Sequence, residues 1–180
     1  VLSATVGTLT NTAYVSSTTA MSVVSATAYT SVTLQSNLTL SKTIGINTLV
    51  RIDVGSSVNY TDHNGNVWIA DTGFTGGNPY TPDTNPISNT LDPAIYWSYR
   101  YGDASAFTYA YATPNGAYQV NLHFAERAGY VANQRVFNVD VEGTVIPNLD
   151  VYSAAGGSNI ALIKTKYVTV ADNQLNMSFT

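Results

Sequence analysis

Apolar and polar positions alternate with a period of two along much of the chain, the pattern of strands that bury one face. Near the start, Leu2, Ala4 and Val6 alternate with Ser3, Thr5 and Gly7, and Val32, Leu34, Leu38 and Leu40 keep one phase around Ser36. The Ser-Thr run at 16–19 predicts a break, so two or three strands are expected before residue 41. After Thr48 the strands are shorter and are punctuated by Gly, Asn, Asp and Pro. Asn64-Gly65 predicts a hairpin turn between strands at 58–62 and 67–70. Asn115-Gly116 predicts another turn, followed by Tyr118, Val120, Leu122 and Phe124 in alternation with Gln119, Asn121 and His123, which sets His123 on the outward face. Further strands are expected at 136–142, 160–170 and 175–179, with turns at Gly143 and at Gly156-Gly157. Gly73, Gly76, Gly77, Pro79, Pro82, Pro86 and Pro93 make 73–94 a long ordered loop, a length that usually carries function or is disordered. No amphipathic helix is predicted, and many short strands with frequent turns mean an all-β sandwich or jelly roll.

Charge divides the chain in two. Residues 1–41 contain no Asp, Glu, Lys, Arg or His, Lys42 is the first charge, and Gly7 is the only glycine before it. This stretch is too apolar and too β-branched for a flexible linker. It reads as an N-terminal β arm, 1–45, ahead of a sandwich domain, 46–180. An uncharged edge strand exposes unpaired N–H and C=O groups and invites pairing with another chain, so the arm is a candidate for self-association.

Composition narrows the function. The 180 residues hold a 44% hydrophobic fraction and no cysteine, which allows a full core and removes thiolate metal sites, thiol catalysis and disulfides. Charged residues are 10%, against roughly 25% in average soluble domains, and the difference is filled by Thr, Ser, Asn and Tyr. That balance suits an extracellular or cell-surface protein. Seven basic residues and a net charge of −4 argue against a nucleic-acid partner. The chain starts at Val1 with no basic segment before an apolar run, so any leader is expected to have been removed, and no apolar run is long enough for a transmembrane helix. Asn37, Asn59 and Asn176 each open an Asn-x-Ser/Thr sequon and are candidate glycosylation sites.

Four segments then carry a resemblance: VRIDVGSSVNYTDHNGNVWIADTGFTGG at 50–77, NPISNTLDPAIYWSYRYG at 85–102, PNGAYQVNLHFAE at 114–126 and QRVFNVDVEGTVIPNLDVYSAAGG at 134–157. Their order and spacing resemble the malectin and malectin-like carbohydrate-binding domains over roughly residues 49–180, while the arm has no counterpart there. The resemblance implies a jelly-roll β-sandwich that binds glucose-containing oligosaccharides on aromatic loop residues, without cleaving them. Matched position by position, it places ligand contacts at Tyr80 and Tyr101, with Glu126 as a candidate polar contact and Arg100 beside them. The aromatic pair expected after Phe124-Ala125-Glu126 is replaced by Ala128-Gly129, with Tyr130 standing one position later as a substitute. The family's acidic ligand residue and its closing strand would fall after Thr180.

Beside this, the residues themselves offer little for catalysis. Glycoside hydrolysis needs two carboxyl groups across a bond; Glu126 and Glu142 are the only glutamates, and no motif marks a pair among the nine aspartates. No cofactor is expected. If the segment around Arg100 is extended, Tyr99 and Tyr101 share one face and Arg100 points the other way, toward an ion-pair partner. Asp62, Asn64 and Asn66 have the alternate spacing of a calcium loop but lack its closing glutamate, and the hairpin accounts for them. Two functions follow from different classes: a secreted, non-catalytic module for glucose-rich glycans, or a structural subunit of an extracellular filament or sheath. In the second, the arm takes the place of the missing closing strand in a neighbour's sandwich; the alternative to such assembly is that it folds back into its own.

Overall fold

Two valines with no solvent exposure, Val139 and Val141, mark the core of residues 50–180. The structure is a computed structural model that describes residues 2–6, 14–16, 30–34, 39–41, 50–80, 84–102 and 105–180. The chain divides into two compact units, 1–49 and 50–180.

In the first unit, β1 (Leu2–Val6) pairs antiparallel with β3 (Thr30–Leu34), and β2 (Tyr14–Ser16) with β4 (Thr39–Ser41). The alternation read through Val32 to Leu40 is thus shared between two strands, β3 and β4. Asn37 lies outside the described residues.

The second unit is an all-β sandwich. Its larger sheet has the order β14–β13–β16–β11–β8, all antiparallel, from Thr144–Asp150, Val136–Val141, Gln174–Phe179, Phe107–Ala112 and Phe74–Thr75. Facing it is the ribbon of β12 (Gly116–Phe124) and β15 (Leu162–Val170), paired over nine residues from Gly116↔Val170 to Phe124↔Leu162. Val139, Val141 and Leu149 from the sheet meet Leu122 and Val168 from the ribbon, with Phe124, Phe137, Met177 and Phe179 packed around them. Burying each such side chain contributes about 1.5–3 kcal/mol. The β13–β14 hairpin turns at Glu142-Gly143, both at positive φ (50° and 74°), which matches the twist of the flanking strands.

Smaller pieces close one end. β5 (Ile52–Asp53), β7 (Val67–Ala70) and β6 (Tyr60–Thr61) form a three-stranded sheet, and β9 (Asn78–Tyr80) pairs with β10 (Tyr99–Tyr101). The expected long loop at 73–94 therefore carries two strands, β8 and β9, before a 3-10 turn at Pro93–Tyr96. The turn expected at Gly156-Gly157 proves to be the end of a five-residue helix, α1 (Val151–Ala155). Asp150 caps it by accepting from Ser153 N, and Gly156 ends it at φ 87°. Five residues are too few for helical periodicity to show in the sequence.

One ion pair locks these pieces together. Arg100 and Asp71 have side chains only 4% exposed, with Nη2 2.8 Å from Oδ2. Nη1 donates to the carbonyls of Gly76 and Gly77, and Asp71 also accepts from Gly55 N and Tyr109 Oη. Gly77 is required here, since a Cβ would lie 2.9 Å from Arg100 Cγ. Asp71→Ala is expected to lower stability by about 3–5 kcal/mol, because it leaves a buried guanidinium unpaired. Urea denaturation checks this, and a loss under about 1 kcal/mol would show that the pair does not carry the junction.

Candidate functional site

The β9–β10 ribbon sets three tyrosines close together. The register opposes Tyr99 to Tyr80 and Tyr101 to Asn78. The rings of Tyr80 and Tyr99 stack with centroids 4.7 Å apart and planes 14° from parallel, while Tyr101 is tilted against Tyr99 at 6.2 Å. Arg100, between them, points the other way into its pair with Asp71, as the period of two requires. Gly55 lets the β5 turn approach β10 closely; a Cβ there would sit 2.4 Å from Tyr99 O.

The loop after β12 reaches the same place. Arg127 Nη1 donates to the carbonyls of Tyr96 and Trp97, just before β10. Tyr130 is exposed, with the Arg135 guanidinium 4.3 Å from its ring centroid. Burial raises the Tyr99 phenol above its ordinary pKa; the Arg135 charge pulls it down, and Tyr80, Glu126 and Tyr101 push it up. Those couplings put Tyr80, Tyr99, Tyr101, Glu126 and Arg135 in one electrostatic neighbourhood.

Glu126 is engaged within this loop. It is 1% exposed, its Oε1 accepts from Ala128 N at 2.8 Å, and its Oε2 meets Arg135 Nη1 at 3.3 Å. The carboxylate holds the loop and the guanidinium that lies on Tyr130. Ala128 and Gly129 are exposed, and nothing lies within 4 Å of where a Gly129 Cβ would be, so no ring fills the place of the expected aromatic pair.

Other candidates resolve into structural roles. The Asp62 carboxylate accepts from Asn64 N, Asn66 N, Asn66 Nδ2 and Trp68 Nε1. Burial works to raise its pKa, but these donors, Trp68 foremost, hold it down at about 2. The carboxylate is thus occupied by its own hairpin. His63 Nδ1 pairs with Asp92 Oδ2 at 2.5 Å, and Tyr60 Oη donates to Asp92 Oδ1. His123 does lie opposite the core row, but it is not open to solvent: Trp68 packs edge-on at 5.1 Å and Tyr96 Oη sits 2.9 Å from its Nδ1. Burial lowers its pKa by disfavouring the charged ring. Of the sequons, Asn59 is exposed, whereas Asn176 is half-buried in mid-strand opposite Ala110.

Residues 48–180 match the Malectin domain family. The chain belongs to the malectin family. A probable LRR receptor-like serine/threonine-protein kinase of Arabidopsis thaliana is 34% identical over 90 residues, which cover 46% of this chain and 9% of the kinase. The fold is shared with the ANX2 ectodomain of the same plant at a TM-score of 0.63, with 21% identity over 73% of this chain and 43% of that one. The plant receptor-like kinase FER gives a TM-score of 0.59 and 25% identity, over 73% of this chain and 36% of its own. A β-glucuronidase of Bacteroides uniformis shares the fold at 0.57 with 20% identity, covering 82% of this chain and 20% of the enzyme. The malectin-family chain thus spans less than half the length of each of these relatives.

Sequence reasoning passed over two members of the cluster. Tyr99 was placed beside Tyr101 by strand parity, but its stack on Tyr80 depends on the β9–β10 pairing. Arg135 had no local signal at all, since its partners Glu126 and Tyr130 lie across a loop. A buried aspartate was also missed. Asp53 is held by Ser98 Oγ at 3.1 Å, just before β10, and burial raises its pKa to about 6 despite that bond. Folded Asp53 therefore keeps its proton to about pH 6, whereas the unfolded chain releases it near pH 4. Between those values the folded state binds more protons, so this contribution to stability is lost as pH rises through about 6. Asp53→Asn is expected to gain up to about 3 kcal/mol at about pH 7 and nothing at about pH 4. Paired urea titrations test it, and equal effects at both pH values would refute the assignment.

Proposed function

We propose that the chain is a non-catalytic carbohydrate-binding module of the cell exterior that holds glucose-containing oligosaccharides on Tyr80, Tyr101 and Tyr130. The observation that carries this is the convergence of the tyrosines: Tyr80 stacked on Tyr99, with Tyr101 beside them, next to a loop that presents Tyr130. Sugar rings offer flat C–H faces rimmed by hydroxyls, and aromatic platforms with a few fixed polar groups suit them. Arg135, half-exposed and already oriented by Glu126, supplies such a group. Membership of the malectin family and the likeness to plant receptor ectodomains support an extracellular binding role. The non-catalytic reading is supported by the neighbouring carboxylates Asp53, Asp71 and Glu126 each being buried in structural bonds. Release of reducing ends from a pure glucan by the purified chain would overturn it.

Calorimetric or NMR titration with maltose and nigerose tests the site. Tyr101→Ala is expected to weaken binding by about tenfold or more, the loss of one stacking ring, with the fold intact. No response of the unaltered protein to millimolar disaccharide sinks the proposal.

A second reading is a structural subunit that assembles through its uncharged N-terminal arm. β1–β3 and β2–β4 are two-stranded ribbons from a segment without charge, and isolated two-stranded ribbons are marginal in water and gain from further pairing. Under this reading the full chain polymerises and a chain lacking residues 1–41 does not. Light scattering that reports a monomer at high concentration eliminates it.

A further inference from the structure

The ribbon of β12 and β15 has two rows of side chains that differ in kind. One row faces the core and includes Leu122, Phe124, Leu162 and Val168; both lysines of the ribbon, Lys164 and Lys166, fall on this row by parity. The opposite row pairs Gln119 with Tyr167, Asn121 with Thr165 and His123 with Ile163. It carries no Asp, Glu, Lys or Arg, and its one histidine, His123, is half-buried beneath Trp68. Tyr167 is 75% exposed and Ile163 53% exposed, so the row presents an open ring and an aliphatic patch.

Between them the polar side chains are already ordered. Asn121 Oδ1 accepts from Gln119 Nε2 at 3.1 Å and from Thr165 Oγ1 at 2.9 Å. This arrangement turns the Asn121 amide N–H groups and the Gln119 side-chain carbonyl to an outside partner. From Ile163 to Tyr167 the strand runs about 13 Å, longer than a single sugar ring. An aromatic face beside fixed amides and a hydroxyl is the combination that sugars require.

We propose that this face of the β12–β15 ribbon is a second carbohydrate-binding surface, which takes a neutral, hydroxyl-rich polysaccharide chain lying along the strands. Charge decides the class of ligand: an anionic polymer would find no cation on this row, and a neutral polyol needs none. A protein partner docking through apolar contact would meet Gln119, Asn121 and Thr165 at the centre of the patch. The surface stands independently of the tyrosine cluster, from which it differs in every residue.

Affinity electrophoresis of the full chain through gels containing glucomannan, xyloglucan or amylose, with polygalacturonate as the acidic comparison, tests the proposal. Tyr101→Ala keeps the tyrosine cluster out of the measurement. That variant is expected to be retarded by at least one neutral polymer, and adding Tyr167→Ala to weaken the retardation about tenfold. Because Tyr167 is largely exposed, its thermal transition should not move. The side-chain amide signals of Gln119 and Asn121 should shift with a soluble oligomer of the same polymer. Retardation that survives Tyr167→Ala, equal retardation by polygalacturonate, or none of the neutral polymers retarding Tyr101→Ala each overturns it.

Discussion

The buried pair of Arg100 and Asp71 is the constraint on which this end of the sandwich depends. Removing two charges from water costs several kcal/mol per ion, and the attraction offsets this only when the remaining donors and acceptors are satisfied. Here they are: Nε and Nη2 reach Asp71 Oδ2, Nη1 reaches two carbonyls, and Cζ lies 3.4 Å from the Phe74 ring centroid. Asp71 in turn takes Gly55 N and Tyr109 Oη. The consequence is geometric more than energetic. A single pair ties the β5 turn, the β8–β9 bend, β10 and β11 to one arrangement, and any other arrangement strands a charge. Because residues alternate along β10, fixing Arg100 inward also fixes Tyr99 and Tyr101 on the opposite face.

The loop side of the cluster is held by the same kind of economy. Glu126 is almost wholly buried, yet its two oxygens are used on the Ala128 amide and the Arg135 guanidinium. That guanidinium lies on Tyr130, so the order of an exposed ring traces back to a buried acid. Binding loses less entropy when the contacting groups are ordered beforehand. The small Ala128 and Gly129 leave this order to Tyr130 and Arg135 alone.

Much of this was legible in the sequence, and the rest was hidden for identifiable reasons. The period of two at Tyr118–Phe124 and the Asn64-Gly65 turn state their structure locally, because parity and φ preference act over a few residues. The opposite facing of Arg100 and Tyr101 follows from the same rule. Parity was not enough for His123: it gives the face but not what covers it, and the cover is Trp68 from a different sheet. The burial of Glu126 was equally out of reach, since its depth depends on Arg135 and Ala128 coming together across the loop. Asp53 and Asp71 are likewise buried by contacts made far along the chain.

The β15 strand shows how a chain with so few charges manages its edges. Among the described residues β15 pairs on one side only, with β12. Such a strand invites pairing with another chain, and charged side chains pointing inward are one of the devices that discourage it. Lys164 and Lys166 are placed on the core-facing row, and Lys166 Nζ reaches across the sandwich to Val145 O at 3.0 Å. A strand docking beside β15 would have to cover these ammonium groups without supplying an anion, at a desolvation cost. Placing both charges on this row has a second effect, because it leaves the opposite row, with Tyr167, Thr165 and Asn121, free of charge. Edge protection and a neutral outer face are therefore two results of one choice of parity, and moving either lysine by one position would undo both.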